Sequence, residues 1–189
     1  LITIAGSSYL ILNNYSLYQK FSNYLSIFER NKSSVGKESV KPSEFKIILF
    51  GYNRIGFSLL KSFRKLRKKF LIVDYNPETI EMLYSHGIYC KYGDASAPEI
   101  IGEIGLQSAE LVISTIPQID VNLLLVEKIR KVNKKAVVVM TSHNIDDAFN
   151  LYEAGVDYVL MPHFLGGEHA SALIEKFGTD INKFVKEKL

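Results

Sequence analysis

Thiols and metal ligands are almost missing from this chain. Cys90 is the single cysteine among 189 residues, which excludes an intrachain disulfide and a cysteine-built metal centre and suits a reducing compartment. It reads as a small buried apolar residue in or beside a strand. Histidines number four; His143, His163 and His169 fall near strand ends or in the tail. The His163 to His169 spacing matches no familiar metal motif, so loop or capping roles are expected and no metal site. No tyrosine is followed by a lysine four residues later, so the Tyr-x-x-x-Lys pair of short-chain dehydrogenases is absent and no catalytic residue is assigned. Charge of one sign is also scarce. The net charge is +3; residues 1–44 carry five Lys/Arg against three Asp/Glu, leaving 18 against 17 for the rest, and nothing argues for nucleic acid. No apolar run reaches the roughly 20 residues that span a bilayer. Finally, the chain starts at Leu1 with neither a methionine nor a signal-peptide cleavage pattern, so a piece of something longer is expected.

What is present suffices for one full domain and an appendage, with 47% apolar residues including 11 Phe and 11 Tyr. The organising stretch runs from Phe45 to Leu60. An apolar run, Ile47 to Phe50, stops at Gly51, and a helical pattern opens shortly after: a strand, a tight turn and a helix start. The first turn of a helix leaves backbone N–H groups unpaired at the positive end of the helix dipole, a place for a phosphate. The dinucleotide fingerprint asks for Gly-x-Gly-x-x-Gly, whereas this turn reads Gly51-Tyr52-Asn53-Arg54-Ile55-Gly56. Asn53 replaces the middle glycine. Asparagine tolerates left-handed backbone better than other side chains, and its amide can donate to a phosphate oxygen. A second strand, Phe70 to Asp74, ends in a carboxylate 18 residues after Gly56, where the fingerprint places the acid that binds ribose hydroxyls. A carboxylate there repels a 2′-phosphate, so a free ribose is preferred over NADP.

Residues 1–30 differ in character from the rest. Leu1 to Leu12 is apolar and reads as the end of a membrane helix. Leu17, Phe21, Tyr24, Leu25 and Phe28 then recur at helical spacing among tyrosines, the composition of an interfacial helix; an amphipathic helix packed on protein has the same pattern. Residues 31–44 form a Ser/Lys-rich linker. From residue 45 to 165 strands and helices alternate: a helix over 54–68, the Asp74 strand, a helix from Pro77 to Gly87, a strand over 88–92, and a helical segment over 97–104. A strand over 111–115, a helix over 119–132, a strand over 136–140, a helix over 145–154 and a strand over 158–161 follow. This predicts an α/β, Rossmann-like, doubly wound parallel sheet of six strands in the order 3-2-1-4-5-6. Residues 166–189 read as two helices broken at Gly178, with Phe177, Ile181, Phe184 and Val185 as an apolar stripe that covers either a second subunit or its own sheet.

In such a sheet the ligand sits beyond the carboxyl ends of the strands. The residues to inspect are the Gly51–Gly56 turn, Asp74-Tyr75-Asn76, Gly93-Asp94-Ala95-Ser96 and Thr115-Ile116-Pro117. Asp94 either approaches adenine or ribose or caps the next helix. Thr115 either meets phosphate or ribose or ends its strand. Arg54 either pairs with a phosphate or makes a surface ion pair. Lys61, Arg64, Lys65, Arg67, Lys68 and Lys69 crowd one helix C-terminus and its exit, first of all favouring the dipole, with an acidic partner or anionic lipid as the second reading.

Gly51-Tyr-Asn-Arg-Ile-Gly56, Asp74, Tyr92-Gly-Asp-Ala-Ser96 and Ser114-Thr-Ile-Pro117 together resemble the RCK (regulator of K⁺ conductance), or TrkA-N, nucleotide-binding domain, over about residues 45–165. Residues 1–30 are similar to the end of the last membrane helix of Kef-type cation:proton antiporters. The resemblance implies a ligand-sensing module at the cytoplasmic face of the cell membrane that gates potassium or sodium transport, not an enzyme. It implies a homodimer through the sheet edge and the C-terminal helices, with a membrane ion-transport domain N-terminal in the same chain. The cofactor it implies is an adenine nucleotide, with AMP or NAD(H) favoured, ATP or ADP allowed and NADP disfavoured. Carried over by residue, Gly51, Tyr52, Asn53, Arg54, Ile55 and Gly56 form the phosphate turn, Asp74 and Tyr75 the ribose end, Asp94 and Ala95 the adenosine side, and Thr115 the far half. Asn53 departs from the pattern, and its Cβ tilts the expectation towards a mononucleotide. An NAD-dependent oxidoreductase or epimerase, and a degenerate Rossmann domain that only dimerises, are the competing readings.

Overall fold

A computed structural model describes residues 2–12 and 41–180. The chain divides into two compact units, Leu1–Lys37 and Glu38–Leu189. In the first, helix α1 spans Ile2–Leu12 without a charged residue, and Ile4 and Tyr9 on it are exposed. No helix among the described residues is long and apolar enough to cross a membrane. The interfacial helix expected within 13–30, most of the linker, and the helix expected beyond Gly178 lie outside the described residues.

The second unit is a six-stranded, all-parallel sheet in the order β3-β2-β1-β4-β5-β6, the topology expected from the alternating pattern. Its elements are β1 (Ile47–Phe50), α2 (Arg54–Leu66), β2 (Phe70–Asp74), α3 (Pro77–Ser85) and β3 (Cys90–Tyr92). They continue with α4 (Pro98–Glu103), β4 (Leu111–Ser114), α5 (Ile119–Val132), β5 (Val137–Thr141), α6 (Ile145–Glu153), β6 (Tyr158–Leu160) and α7 (Pro162–Phe177). All four residues of β1 are buried, as a central parallel strand covered on both faces requires. Its alternation distributes them between two layers. Ile47 and Leu49 pack with Leu60 and Phe63 of α2 and Leu83 of α3. Ile48 and Phe50 pack with Leu125, Val126 and Ile129 of α5 and Leu151 of α6.

Register places the site. Phe50 pairs with Val73 of β2 and with Ser114 of β4, so these three central strands end at one level. Gly51, Asp74 and Thr115 therefore follow side by side.

Element ends differ from expectation by a few residues, each for a local reason. Helix α2 stops at Leu66 rather than residue 68, because Arg67 adopts left-handed backbone with φ 54°. Strand β3 begins at Cys90 rather than 88, because the Ile88 amide donates back to the Leu83 carbonyl and closes α3. The tail helix, expected from Gly166, starts at Pro162: proline is pre-set for the first helical position, and the helix continues through Gly166 and Gly167. The boundary expected at 165/166 thus falls inside α7. In the cation cluster, Lys68 pairs with Glu110 and Lys69 with Glu44, while Arg64 and Lys65 occupy the last turn of α2, where the dipole favours them.

Candidate functional site

A crevice of about 540 Å³ opens beyond the ends of β1, β2 and β4, at the switch point where the sheet reverses its winding. This volume lies within the range of small-molecule and cofactor sites. Gly51, Tyr52, Asn53, Asp74, Tyr75, Asp94, Ala95 and Thr115 all line it. Arg54, Ile55 and Gly56, also expected in the site, do not line it.

Gly51 makes the turn possible. Its φ is +80°, and a Cβ there would meet Thr115 Oγ1 at 3.0 Å. Gly56 lies underneath: a Cβ would come within 2.9 Å of the Gly51 carbonyl oxygen, so its lack of a side chain lets α2 seat against β1. Because that neighbour is backbone, Gly56→Ala is expected to lower stability by about 2 kcal/mol, the cost of an overpacked methyl, read as a lower urea midpoint.

Asp74 is 7% exposed. Its Oδ2 accepts the Tyr52 amide at 2.6 Å and its Oδ1 the Asn76 amide at 2.8 Å. Each oxygen is fixed by one backbone donor and retains acceptor capacity, since a carboxylate accepts about four hydrogen bonds. Beside it Tyr75 is 74% exposed, an aromatic face at the mouth of the crevice. Asp94 does not cap α4, whose N-cap position is held by Ala97. Its Oδ1 instead accepts the Ser96 amide at 2.8 Å and the Ser96 hydroxyl at 2.7 Å. Those two bonds hold the Asp94 carboxyl below the usual carboxylate range, so it is ionised at neutral pH. Two carboxylates at one crevice suit hydroxyl donors and oppose a 2′-phosphate.

The polar side chains of Asn53 and Thr115 already have partners within the protein. The Asn53 backbone is extended, with φ −104°, so left-handed tolerance is not why asparagine stands there. Its side chain caps α2, accepting the Ile55 amide at 2.9 Å and the Gly56 amide at 3.3 Å on Oδ1. Its Nδ2 donates to the Thr115 carbonyl at 2.9 Å. The amide expected to meet a phosphate is thus already engaged, although one of its two hydrogens is left. The Thr115 hydroxyl donates to the Gly51 carbonyl at 2.8 Å; it pins the turn to β4 rather than facing a ligand as a free donor. Arg54 is exposed and has no ion pair among the described residues.

Sequence reasoning missed Thr79, Gln118 and Val121, which also line the crevice. They belong to the first turns of α3 and α5 or cap them; the available signal was that helices entering a switch point contribute their first turns. It also missed Asn122, whose side chain ties β4, α5 and β5 together. Asn122 Oδ1 accepts the Ser114 hydroxyl at 2.6 Å, and its Nδ2 donates to the carbonyls of Ile116 at 2.9 Å and Thr141 at 3.2 Å. Among the described residues no group of three or more His, Cys, Asp or Glu side chains is placed to hold a metal ion.

Comparison with known proteins converges on one family. The TrkA-N domain matches residues 47–162, which include every strand of the sheet. Over 135 residues the chain is 24% identical to the glutathione-regulated potassium-efflux system protein KefC of Escherichia coli O17:K52:H18, covering 70% of this chain but 22% of that protein. The fold is similar to the TrkA-N domain of the inner membrane protein ybaL from Escherichia coli, with TM-score 0.64 and 22% identity over 68% of this chain and 95% of that one. It is also similar to the Shewanella denitrificans Kef CTD in its AMP-bound form, with TM-score 0.59 and 22% identity over 75% of this chain and 85% of that one. A strand-turn-helix followed by an acid-tipped second strand, the 3-2-1-4-5-6 order and this match over the whole sheet agree: the chain belongs to the TrkA-N domain family.

Proposed function

We propose that this domain is the nucleotide-sensing regulatory part of a monovalent-cation transport protein, a potassium or sodium cation:proton antiporter. It binds an adenine nucleotide in the crevice and, rather than turning it over, reports its presence to an ion-transport domain that precedes it in the same chain. The observation that carries the reading is the alignment of Gly51, Asp74 and Thr115 at one level of the sheet. It sets the Asp74 carboxylate, a hydrogen-bond acceptor of the kind a ribose hydroxyl needs, beside a helix start and over a crevice of suitable size, which supports the reading. The similarity to a potassium-efflux protein and to an AMP-bound relative supports the choice of partner and ligand class. Asp74 and Asp94 would take the ribose hydroxyls, Tyr75 would offer its ring to the base, and the Asn53-Arg54 turn would receive a phosphate.

Gating requires two states that the nucleotide binds unequally. A homodimer supplies them if the ligand favours one arrangement of its subunits. Helix α7 supports such an assembly: no residue on it is buried, yet it carries Phe164, Leu165 and a 61% exposed Ile174. The adjacent β6 is an edge strand, and edges invite pairing or cover. In this reading the domain works at the cytoplasmic face of the membrane as part of a longer protein, and the ion carried is that of the transport domain.

Isothermal titration with AMP, ADP, ATP, NAD⁺, NADH and NADP⁺ tests the reading. Micromolar binding of at least one of these, with NADP⁺ the weakest, is the expected outcome. No binding to any of them by the folded protein would leave a domain that serves assembly alone.

A further inference from the structure

The turn between β1 and α2 has few donors left to offer. The Gly51 amide donates to Val73, Tyr52 to Asp74, Ile55 and Gly56 to the Asn53 side chain, and Phe57 to the Asn53 carbonyl. Only the amides of Asn53 and Arg54 make no hydrogen bond among the described residues of this turn. Where glycine holds the middle position of the fingerprint, no side chain takes the helix-start amides, and a pyrophosphate is received on them. Here the Asn53 carboxamide oxygen already occupies two. The same side chain is anchored to the end of β4 by the bond from its Nδ2 to the Thr115 carbonyl, so clearing it would uncap α2 and remove one of the bonds that hold the turn to β4, leaving the one from the Thr115 hydroxyl to the Gly51 carbonyl.

We infer that Asn53 is a specificity-determining residue that restricts the crevice to adenine nucleotides with a single phosphate at this turn, excluding dinucleotides of the NAD type. The inference rests on the nucleotide-binding reading above. Two adjacent amides that make no hydrogen bond among the described residues match one terminal phosphate, and the exposed Arg54 guanidinium, which does not line the crevice and makes no ion pair among the described residues, adds positive charge beside them. A pyrophosphate brings a second anionic group to a turn whose remaining amides are spent. It must either leave that group without donors at a crevice wall, which is costly for a charge, or displace the cap. Selection thus follows from a side chain that substitutes for part of the ligand.

Calorimetric titration of AMP and NAD⁺ into the whole chain, as wild type, Asn53→Ser and Asn53→Gly, tests this, with a thermal melt of each protein to verify folding. Wild type is expected to bind AMP about tenfold or more tightly than NAD⁺, a factor equal to one hydrogen bond to a charged group. Serine caps the same amides, so Asn53→Ser keeps that preference. Asn53→Gly frees the amides and is expected to bring NAD⁺ to within about threefold of AMP, chiefly by tightening NAD⁺. Equal affinity of wild type for the two nucleotides, or an unchanged ratio in folded Asn53→Gly, would overturn the inference and leave the nucleotide site standing. Should Asn53→Gly fail to fold, the ratios of wild type and Asn53→Ser decide alone. Binding of neither nucleotide by any form would overturn the site itself, and the inference with it.

Discussion

Asp74→Ala is expected to weaken AMP binding by about 10- to 100-fold, the weight of one or two hydrogen bonds to a charged acceptor. It is also expected to lower stability by about 2 kcal/mol, because the Tyr52 and Asn76 amides both lose their acceptor. The two effects separate through Asp74→Asn. An asparagine has one acceptor oxygen for two amides that each use a carboxylate oxygen, so one amide faces an N–H₂ group, and stability falls in this variant as well. Binding in Asp74→Asn falls further than its residual folded fraction explains if the negative charge is what receives the ribose hydroxyls. Urea denaturation supplies the stability difference and titration calorimetry the affinity. An Asp74→Ala protein that is folded and binds AMP as wild type does would remove Asp74 from the site.

Asn122→Ala is expected to destabilise the domain most, by about 3 kcal/mol, or a melting temperature lower by roughly 6–12 °C for a domain of this size. Asn122 has no solvent-exposed surface. Its amide reaches three groups on two neighbouring chain segments, the Ser114 hydroxyl and the Ile116 carbonyl at the end of β4 and the Thr141 carbonyl at the end of β5. Ser114 in turn receives the Ile116 amide on its hydroxyl oxygen at 3.3 Å. Alanine leaves a cavity and strands these groups. The consequence reaches the crevice, because Ile116 lines it and its backbone is held by this network. Nucleotide affinity is therefore expected to fall with stability in Asn122→Ala, measured by differential scanning calorimetry and titration on one preparation. A melting temperature within about 2 °C of wild type, less than the shift one lost hydrogen bond produces, would show that the network carries no such weight.

The fold was legible wherever a physical period dominated. Ile47 to Phe50 and Leu111 to Ile113 are unbroken apolar runs because central parallel strands are covered on both faces. Their spacing from the intervening helices left one topology. Asp74 was legible because the fingerprint fixes its distance from the glycine turn, and the crevice lining contains it together with Tyr75, Asp94, Ala95 and Thr115. What stayed hidden was which partner each polar group chooses. An asparagine at the middle position has the same sequence signature whether it donates to a phosphate or caps the helix; only the extended backbone and the bonds to Ile55 and Gly56 distinguish them. The Thr115 hydroxyl was equally ambiguous until its bond to the Gly51 carbonyl was seen. Asn122 left a readable trace, a polar residue on the stripe of Leu125, Val126 and Ile129, where a buried amide demands partners from other segments. The start of α7 falls four residues before the expected Gly166 because Pro162, pre-set for the first helical position, already opens the helix.

A crystal structure of the protein grown with AMP is the most direct test of the central claim, that this crevice is an adenine-nucleotide sensor site. The predicted result is AMP beyond the ends of β1, β2 and β4. Its ribose hydroxyls would be hydrogen-bonded to Asp74 and its phosphate received by the amides of Asn53 and Arg54, with the Asn53 cap intact. AMP bound elsewhere on the domain, or a crevice left without nucleotide at saturating concentration, would contradict it.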